Sequence, residues 1–241
     1  MARQERAHRT RWAILEAAAR LFDELGYEAT TIGMVIERTE ITRGGLYFHF
    51  TSKEELARAV LDEAVTSTGL VPHPFKVQEW VDLGLLLAHR MPMEPILSAA
   101  VRLSVDPRAR RLFGTRWPDW VEVGSGLLAE AKERGELLPH VDPEEVARLC
   151  VGAWTGVQIV TDVLRPARLP QEVSDLYAML LPAVVSPGVL AKLDLTVHRA
   201  PRLLAEAREA AGTGASGPVP AGDTGAPGAR GDGDGAADDA C

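Results

Sequence analysis

Within the twelve positions from Thr42 to Lys53 the chain sets a hydroxyl, a guanidinium, two adjacent glycines, a phenol, an imidazole and an ammonium. These groups donate hydrogen bonds, and none is spaced as a nucleophile beside a base. Their chemistry is that of holding anionic oxygens and base edges. Thr42 precedes Arg43-Gly44-Gly45-Leu46, where a hydroxyl and the free N–H groups of a helix start can meet a phosphate. Arg43, in the first turn, can bond guanine O6 and N7 as a pair. Gly44 and Gly45 each cost a helix roughly 1 kcal/mol relative to alanine, a cost explained if the backbone must approach a duplex closely. Tyr47 and His49 can hydrogen-bond phosphates from the far end of the helix. Phe48 and Phe50 are expected to face the core.

The elements that must position these groups are marked by caps. Thr30 and Thr31 are cap candidates for a helix to about Thr39, in which Ile32, Val35 and Ile36 form one apolar stripe. Thr31 is also grouped with the DNA-contacting hydroxyls. After a break at Glu40-Ile41, a second helix runs from Arg43 to about Phe48, with Leu46 turned inward. Two short helices across a tight turn form a helix-turn-helix, and the second lies in a major groove. Ser52 and Glu55 read as a capping box for the next helix. Lys53 in its first turn opposes the helix dipole unless a phosphate lies between them; the alternative is a solvated surface lysine. Upstream, Arg3, Arg6, Arg9 and Arg11 against Glu5 give residues 1–11 a local charge of +3. That basic arm can follow a phosphate backbone or enter a minor groove, or it is a frayed, solubilising terminus.

Composition constrains the rest. With 241 residues, 46% of them apolar and 25% charged, the chain reads as soluble and globular, with one or two domains. The net charge of −8 opposes nucleic-acid binding as a whole, but residues 1–58 hold nine Lys/Arg and nine Asp/Glu, so the remainder carries the deficit. Cys150 and Cys241 form no metal or disulfide framework, which points to a reducing cytoplasm. No apolar run approaches the length of about eighteen needed to span a membrane, and no membrane partner is expected. The six histidines have no metal spacing, and the GDGDG run at 231–235 lacks the rest of a calcium loop. No cofactor or metal is expected.

Beyond a Gly/Pro linker at 69–74, helical patterning covers about 75–91, 94–105, 118–134, 143–164 and 171–185, with no strand pattern. The fold class is therefore all-α. Pro118, Gly135 and Asp142-Pro143 mark helix ends, and Gly188 and Pro201 are expected to bracket a last short helix. Residues 211–241, mostly Gly, Ala, Pro, Ser and Thr with five aspartates, read as a disordered acidic tail. The domains expected are 1–58 as DNA-binding head, 59–204 as helical ligand-binding and dimerisation body, and 205–241 as tail.

The segment 143–164 is apolar on all sides, so one face is expected within the chain and the other, with helix 171–185, against a second copy. A homodimer also supplies the second half-site that a DNA reader of this size needs. Trp154, Gln158 and Thr161 lie at i, i+4 and i+7, a few polar groups in an apolar wall, which suits a small-molecule pocket or satisfied core polars. Trp117 and Trp120 add flat apolar faces with one N–H each, suited to a lactone with an alkyl chain or to a plain core.

The stretch ITRGGLYFHFTSKEELARAV, with RAHRTRWAILEAAARLFDELGYEATTI before it, resembles the DNA-binding end of the TetR family of repressors over about residues 5–65. Two departures stand out. Glu40 replaces a usual glycine, so strain and an added negative charge are expected in the turn, and Gly33 and Gly45 stand where small or polar helix formers are usual. RWPDWVEV and AKERGELLPHVDPEEVARLCVGAWTGVQIV resemble the γ-butyrolactone receptor branch over roughly residues 1–195. That resemblance implies a homodimeric repressor released from a palindromic double-stranded operator by a lactone or butenolide, with Trp120 as the pocket tryptophan. The alternatives are a pseudo-receptor sensing an antibiotic or its precursor, and a helical interaction protein whose head no longer binds DNA. An enzyme is disfavoured: no G-x-S-x-G, H-E-x-x-H or P-loop is present.

Overall fold

The computed structural model describes residues 2–64 and 69–214, with side chains from Gln4 to Glu209 apart from Pro166. These residues form twelve α-helices, three of them followed by a single 3-10 turn. The only extended pairing among the described residues is an isolated antiparallel bridge between Leu137 and Val185. The all-α expectation holds.

Helix α1 (Ala2–Ala29) opens the head. The basic N-terminal segment is helical rather than an extended arm, because Ala2 to Ala7 are nearly all strong helix formers and nothing interrupts them. Gly26, at φ 81° and ψ 169°, breaks the helix where the sequence marks its end. Ile14, Leu15, Ala18 and Phe22 recur at helical spacing and are fully buried. Helices α2 (Ile32–Thr39) and α3 (Arg43–His49) each start on a threonine cap. Thr31 Oγ1 accepts from the Met34 N–H at 3.3 Å, and Thr42 Oγ1 from the Gly45 N–H at 3.1 Å. Leu46 and Phe50, one turn apart, are buried. Phe48 lies about 200° around α3 from Leu46 and is 80% exposed, which overturns its assignment to the core.

Helix α4 (Lys53–Glu63) follows, with Ser52 Oγ accepting from the Glu55 N–H at 3.1 Å. The Glu55 carboxylate reaches one residue further back than a standard capping box, to Thr51 N at 2.6 Å and Thr51 Oγ1 at 2.7 Å.

The body contains α5 (Lys76–Arg90), α6 (Pro95–Val105), α7 (Pro107–Phe113), α8 (Trp117–Glu133), α9 (Pro143–Leu164), α10 (Leu169–Leu180), α11 (Pro187–Leu190) and α12 (Arg199–Gly214). Three boundaries differ from expectation. Helix α7 is additional: Asp106-Pro107 repeats the Asp142-Pro143 signal, and Asp106 Oδ1 accepts from the Arg108 and Ala109 N–H groups at 2.8 Å. Helix α10 stops at Leu180, because Pro182 has no N–H and tightens the next turn into 3-10 geometry. Gly188 and Pro201 bracket no helix; Pro201 instead lies in the first turn of α12, where proline is tolerated.

The domain boundary at 205 is also overturned. Helix α12 continues to Gly214, since Ala200 and Leu203 are buried and Leu204 packs on the core. A bidentate Arg199–Asp82 pair, with Nη2–Oδ2 at 2.6 Å, ties α12 to α5. Residues 215–241 of the expected tail, with Cys241, lie outside the described residues.

Head and body share α1 and α4, both of which pack on α6. Helix α8 packs on α5 and α9, and α10 packs on the same two helices. Among the described residues no helix is long and apolar enough to cross a membrane.

Glu40, at φ 55° and ψ 23°, is the one non-glycine residue with positive φ among the described residues, which bears out the strain expected of the turn. The left-handed region costs an L-residue roughly 1–2 kcal/mol, and glycine's extra freedom when unfolded takes back about 0.5–1 kcal/mol. Glu40→Gly is therefore expected to raise stability by about 0.5–1 kcal/mol, read as a higher urea midpoint at unchanged m-value. A lower midpoint would rule out the strain.

Candidate nucleic-acid interface and small-molecule cleft

Thr31, Thr42, Arg43, Gly44 and Tyr47 are exposed, and His49 is half-buried. The Arg43 guanidinium lies 5.8 Å from the centroid of the Tyr47 ring, so two donors for one backbone stand together. The Thr42 oxygen accepts the cap bond, and its hydroxyl proton remains able to donate to a phosphate. A Cβ added at Gly44 would meet nothing within 4 Å. No contact among the described residues requires glycine there. At Gly45 a Cβ would come within 3.2 Å of Thr42 Oγ1 and crowd the cap. Arg6 and Arg9 line a shallow groove with Ile41 of the turn, so the basic end of α1 adjoins the helix-turn-helix. The Arg3 side chain lies outside the described residues.

Two basic residues of this region are engaged by the protein. The Lys53 ammonium donates to the Tyr27 carbonyl at 2.9 Å and the Glu28 carbonyl at 3.4 Å, and it sits 4.2 Å from the centroid of the Tyr27 ring. It turns inward because α4 begins beside the end of α1, whose last carbonyls lack helical donors. Arg11 pairs with Glu63 at 3.1 Å and lies over Phe50. Phe48, read as core, instead adds an exposed aromatic face beside His49, the two rings meeting edge-on at 5.0 Å. Helical spacing from Leu46 was the signal for this.

In the body, α5, α8, α9 and α10 enclose a cleft with about 600 Å³ of empty space, counting its open mouth. Its walls carry Trp80, Trp120, Trp154 and Tyr177. Trp80 and Tyr177 meet edge-on with centroids 5.4 Å apart, and Trp154 Nε1 donates to the Gly84 carbonyl at 3.3 Å. Burial pushes the Cys150 thiol up to about 11, although the Tyr177 hydroxyl beside it works the other way. Burial also pushes Tyr177 well above its ordinary value. Both groups therefore keep their protons at neutral pH. The cleft offers neutral donors and aromatic faces, which can hold an uncharged oxygen but supply no nucleophile or base.

Of the five residues expected in this pocket, the structure brings Trp120 and Trp154 together and leaves three outside. Trp117 lies one turn before Trp120, beside α7, with the Arg110 guanidinium 5.6 Å from its ring centroid. Gln158 and Thr161 continue the stripe of Cys150, Val151, Trp154 and Thr155 along α9, but Gln158 faces α1 and α6 in a different cavity. A helix of 22 residues is about 33 Å long, so one stripe outruns one pocket. Trp80 and Tyr177 were not among the sequence candidates. Their signal was the glycine one turn after each tryptophan, Trp80–Gly84 and Trp120–Gly124. A Cβ at Gly84 would lie 2.1 Å from Tyr177 Oη, and one at Gly124 would lie 3.2 Å from Trp80 Nε1.

Comparison with known proteins places this geometry. Residues 14–60 match the model for bacterial regulatory proteins of the tetR family. The A-factor receptor protein of Streptomyces griseus is 35% identical over 195 residues, 80% of this chain and 70% of that protein. The crystal structure of full-length native TylP, a TetR regulator from Streptomyces fradiae, superposes with a TM-score of 0.76 at 40% identity, covering 84% of this chain and 99% of that one. A crystal structure of a γ-butyrolactone receptor described as ArpA-like gives 0.68 at 28% identity, covering 83% and 99%. With this identity over most of the A-factor receptor's length and the match at its N-terminal helices, the chain belongs to the TetR family of bacterial regulatory proteins and is, like the relatives it matches, a DNA-binding transcriptional repressor, not an enzyme.

Proposed function

We propose that this repressor acts as a homodimer on a palindromic operator and is released when a γ-butyrolactone or butenolide enters the cleft at Trp120. The observation that carries the effector is the cleft's chemistry: tryptophan faces for an alkyl chain, neutral donors for a lactone oxygen, and no charge to demand an ionic ligand. The names of the A-factor receptor and of the γ-butyrolactone receptor structure favour the same class.

The homodimer rests on α9. Leu149 is 55% exposed, Val160 55%, Val163 79% and Leu164 70%, with Met179 of α10 at 83%. An apolar surface of this kind fits a two-fold helical interface. On the DNA, Thr31, Thr42, Tyr47, His49, Arg6 and Arg3 hold phosphates, Arg43 reads a base edge, and Gly44 lets the backbone close in. Lys53 contributes by fastening α4 to α1. Ligand in the cleft favours a different position of α4 and changes the spacing of the two heads. Coupling of ~1–3 kcal/mol gives a ~5–150-fold loss of operator affinity, provided that ligand binds the DNA-free form more tightly.

Three substitutions test separate parts. Trp120→Ala should keep operator affinity within about twofold while raising the lactone concentration for half-release at least about tenfold in a mobility shift; unchanged release would exclude Trp120. Release by an antibiotic but not by lactones would move the effector class and keep the cleft. Gly44→Ala should stabilise the fold by about 0.5–1 kcal/mol yet weaken operator binding about tenfold or more; equal or better binding would remove the close-approach argument. Val163→Glu, at an exposed position, should leave the fold intact and shift sedimentation equilibrium towards monomer, because an unpaired charge in an apolar interface is unfavourable. A dimer undiminished by Val163→Glu would place the interface elsewhere.

A further inference from the structure

A second cavity lies where the head meets the body. It has about 700 Å³ of empty space, counting its mouth, and is lined from α1 by Asp23, from α6 by Ser98 and Arg102, and from α9 by Gln158 and Asp162. Its polar lining sets three carboxylates and the Gln158 amide against the single Arg102 guanidinium. Asp23 Oδ1 accepts from Ser98 Oγ at 2.8 Å, which leaves Oδ2 unengaged. Gln158 is 7% exposed, and its amide nitrogen donates to Asp162 Oδ2. Its Oε1 is thereby turned away from Asp162 and is buried without any hydrogen-bond partner. Such an atom is costly to bury unless a donor meets it. Asp162 Oδ1 is likewise unengaged, and no ion pair joins Arg102 to either carboxylate. A third carboxylate in the wall, Asp106, caps α7 through Oδ1.

We propose that this cavity is a second small-molecule site that takes a primary ammonium carried on an apolar body. Three unengaged acceptors, Asp23 Oδ2, Asp162 Oδ1 and Gln158 Oε1, match the three N–H donors of one ammonium. Val105, Ile159 and Val163 supply apolar wall for the rest of the molecule. A bare divalent ion fits less well. Arg102 stands in the wall, and no group of three or more His, Cys, Asp or Glu side chains that could hold a metal occurs among the described residues. Burial, and after it the Asp23 carboxylate, push Asp162 above its ordinary value, while the Gln158 amide and the Arg102 guanidinium work the other way. An ammonium between Asp23 and Asp162 would bond α1 of the DNA-reading head to α9 of the body and stiffen the joint through which the heads are set. This site is separate from the Trp120 cleft and does not depend on what that cleft binds.

The probe is n-hexylammonium, titrated calorimetrically into the full chain, with n-hexanol and tetramethylammonium as controls. Saturable binding of hexylammonium alone is expected, since hexanol lacks the charge and tetramethylammonium the N–H donors. Asp162→Asn, at an exposed position, should weaken it about tenfold or more, and Gln158→Leu should weaken it too. Arg102→Ala should tighten it by removing a like charge. Trp120→Ala should leave it unchanged, which separates failure here from failure of the lactone reading. No saturable heat, equal binding of hexanol, or an affinity indifferent to both Asp162→Asn and Arg102→Ala would overturn the site.

Discussion

Tyr27 holds the junction between the helix-turn-helix head and the helical body that encloses the aromatic cleft. Gly26 breaks α1 just before it, so the tyrosine turns into the structure and is almost fully buried. Its ring stands 5.8 Å from Phe22 of α1 and meets Phe113 of α7 edge-on at 5.0 Å. Lys53 of α4 lies over the ring, and its hydroxyl donates to Glu54 at 3.1 Å. Burial first, and then Glu54, push the hydroxyl up to about 12, so it stays a donor throughout the neutral range. One side chain thus joins two head helices to a body helix. With α6 packed on both α1 and α4, a displacement in the body cannot leave the head untouched, because packed interiors shift as units.

The head accepts local costs in order to present its reading surface. Two glycines weaken α3, a glutamate occupies the left-handed region, and a phenylalanine is left in water. Its charge is balanced, so attraction to DNA must come from where the charges lie rather than from their sum. Arg43 stands out from α3, Arg6 and Arg9 gather at the turn, and Arg11 and Lys53 are spent on holding helices together. The acidic remainder of the chain opposes non-specific binding away from that surface.

Helix α9 divides its circumference and its length among three tasks. Its first turns wall the aromatic cleft, and the same stripe further on reaches the junction with α1 at Gln158 and Asp162. The opposite side leaves Leu149 and Val160 exposed. A helix apolar all round must be covered on more than one side, and within a single chain α5, α8 and α10 cover only one.

Much of this was legible in the residues. The caps at Thr31, Thr42, Ser52 and Asp142, the break at Gly26 and the strain at Glu40 are local, because each follows from a backbone preference or a hydrogen bond spanning a few residues. Those signals determined an all-α chain with a helix-turn-helix near its start, and a long apolar helix too hydrophobic to stand alone. At Phe48, expected in the core, and at Asp106-Pro107, where no helix start was expected, the information was still present in helical spacing and capping pattern. Other features were not in the sequence to be read. Gln158 and Trp154 share a stripe, yet only the positions of α5, α8, α1 and α6 decide that one lines the cleft and the other the junction. The inward turn of Lys53 depends on α4 starting beside the end of α1, and the pairing of Asp82 with Arg199 joins residues more than a hundred positions apart. Periodicity tells which face of a helix is buried, but what it is buried against is a property of the assembled helices, and that tertiary choice makes one apolar stripe a binding cleft at one end and a joint at the other.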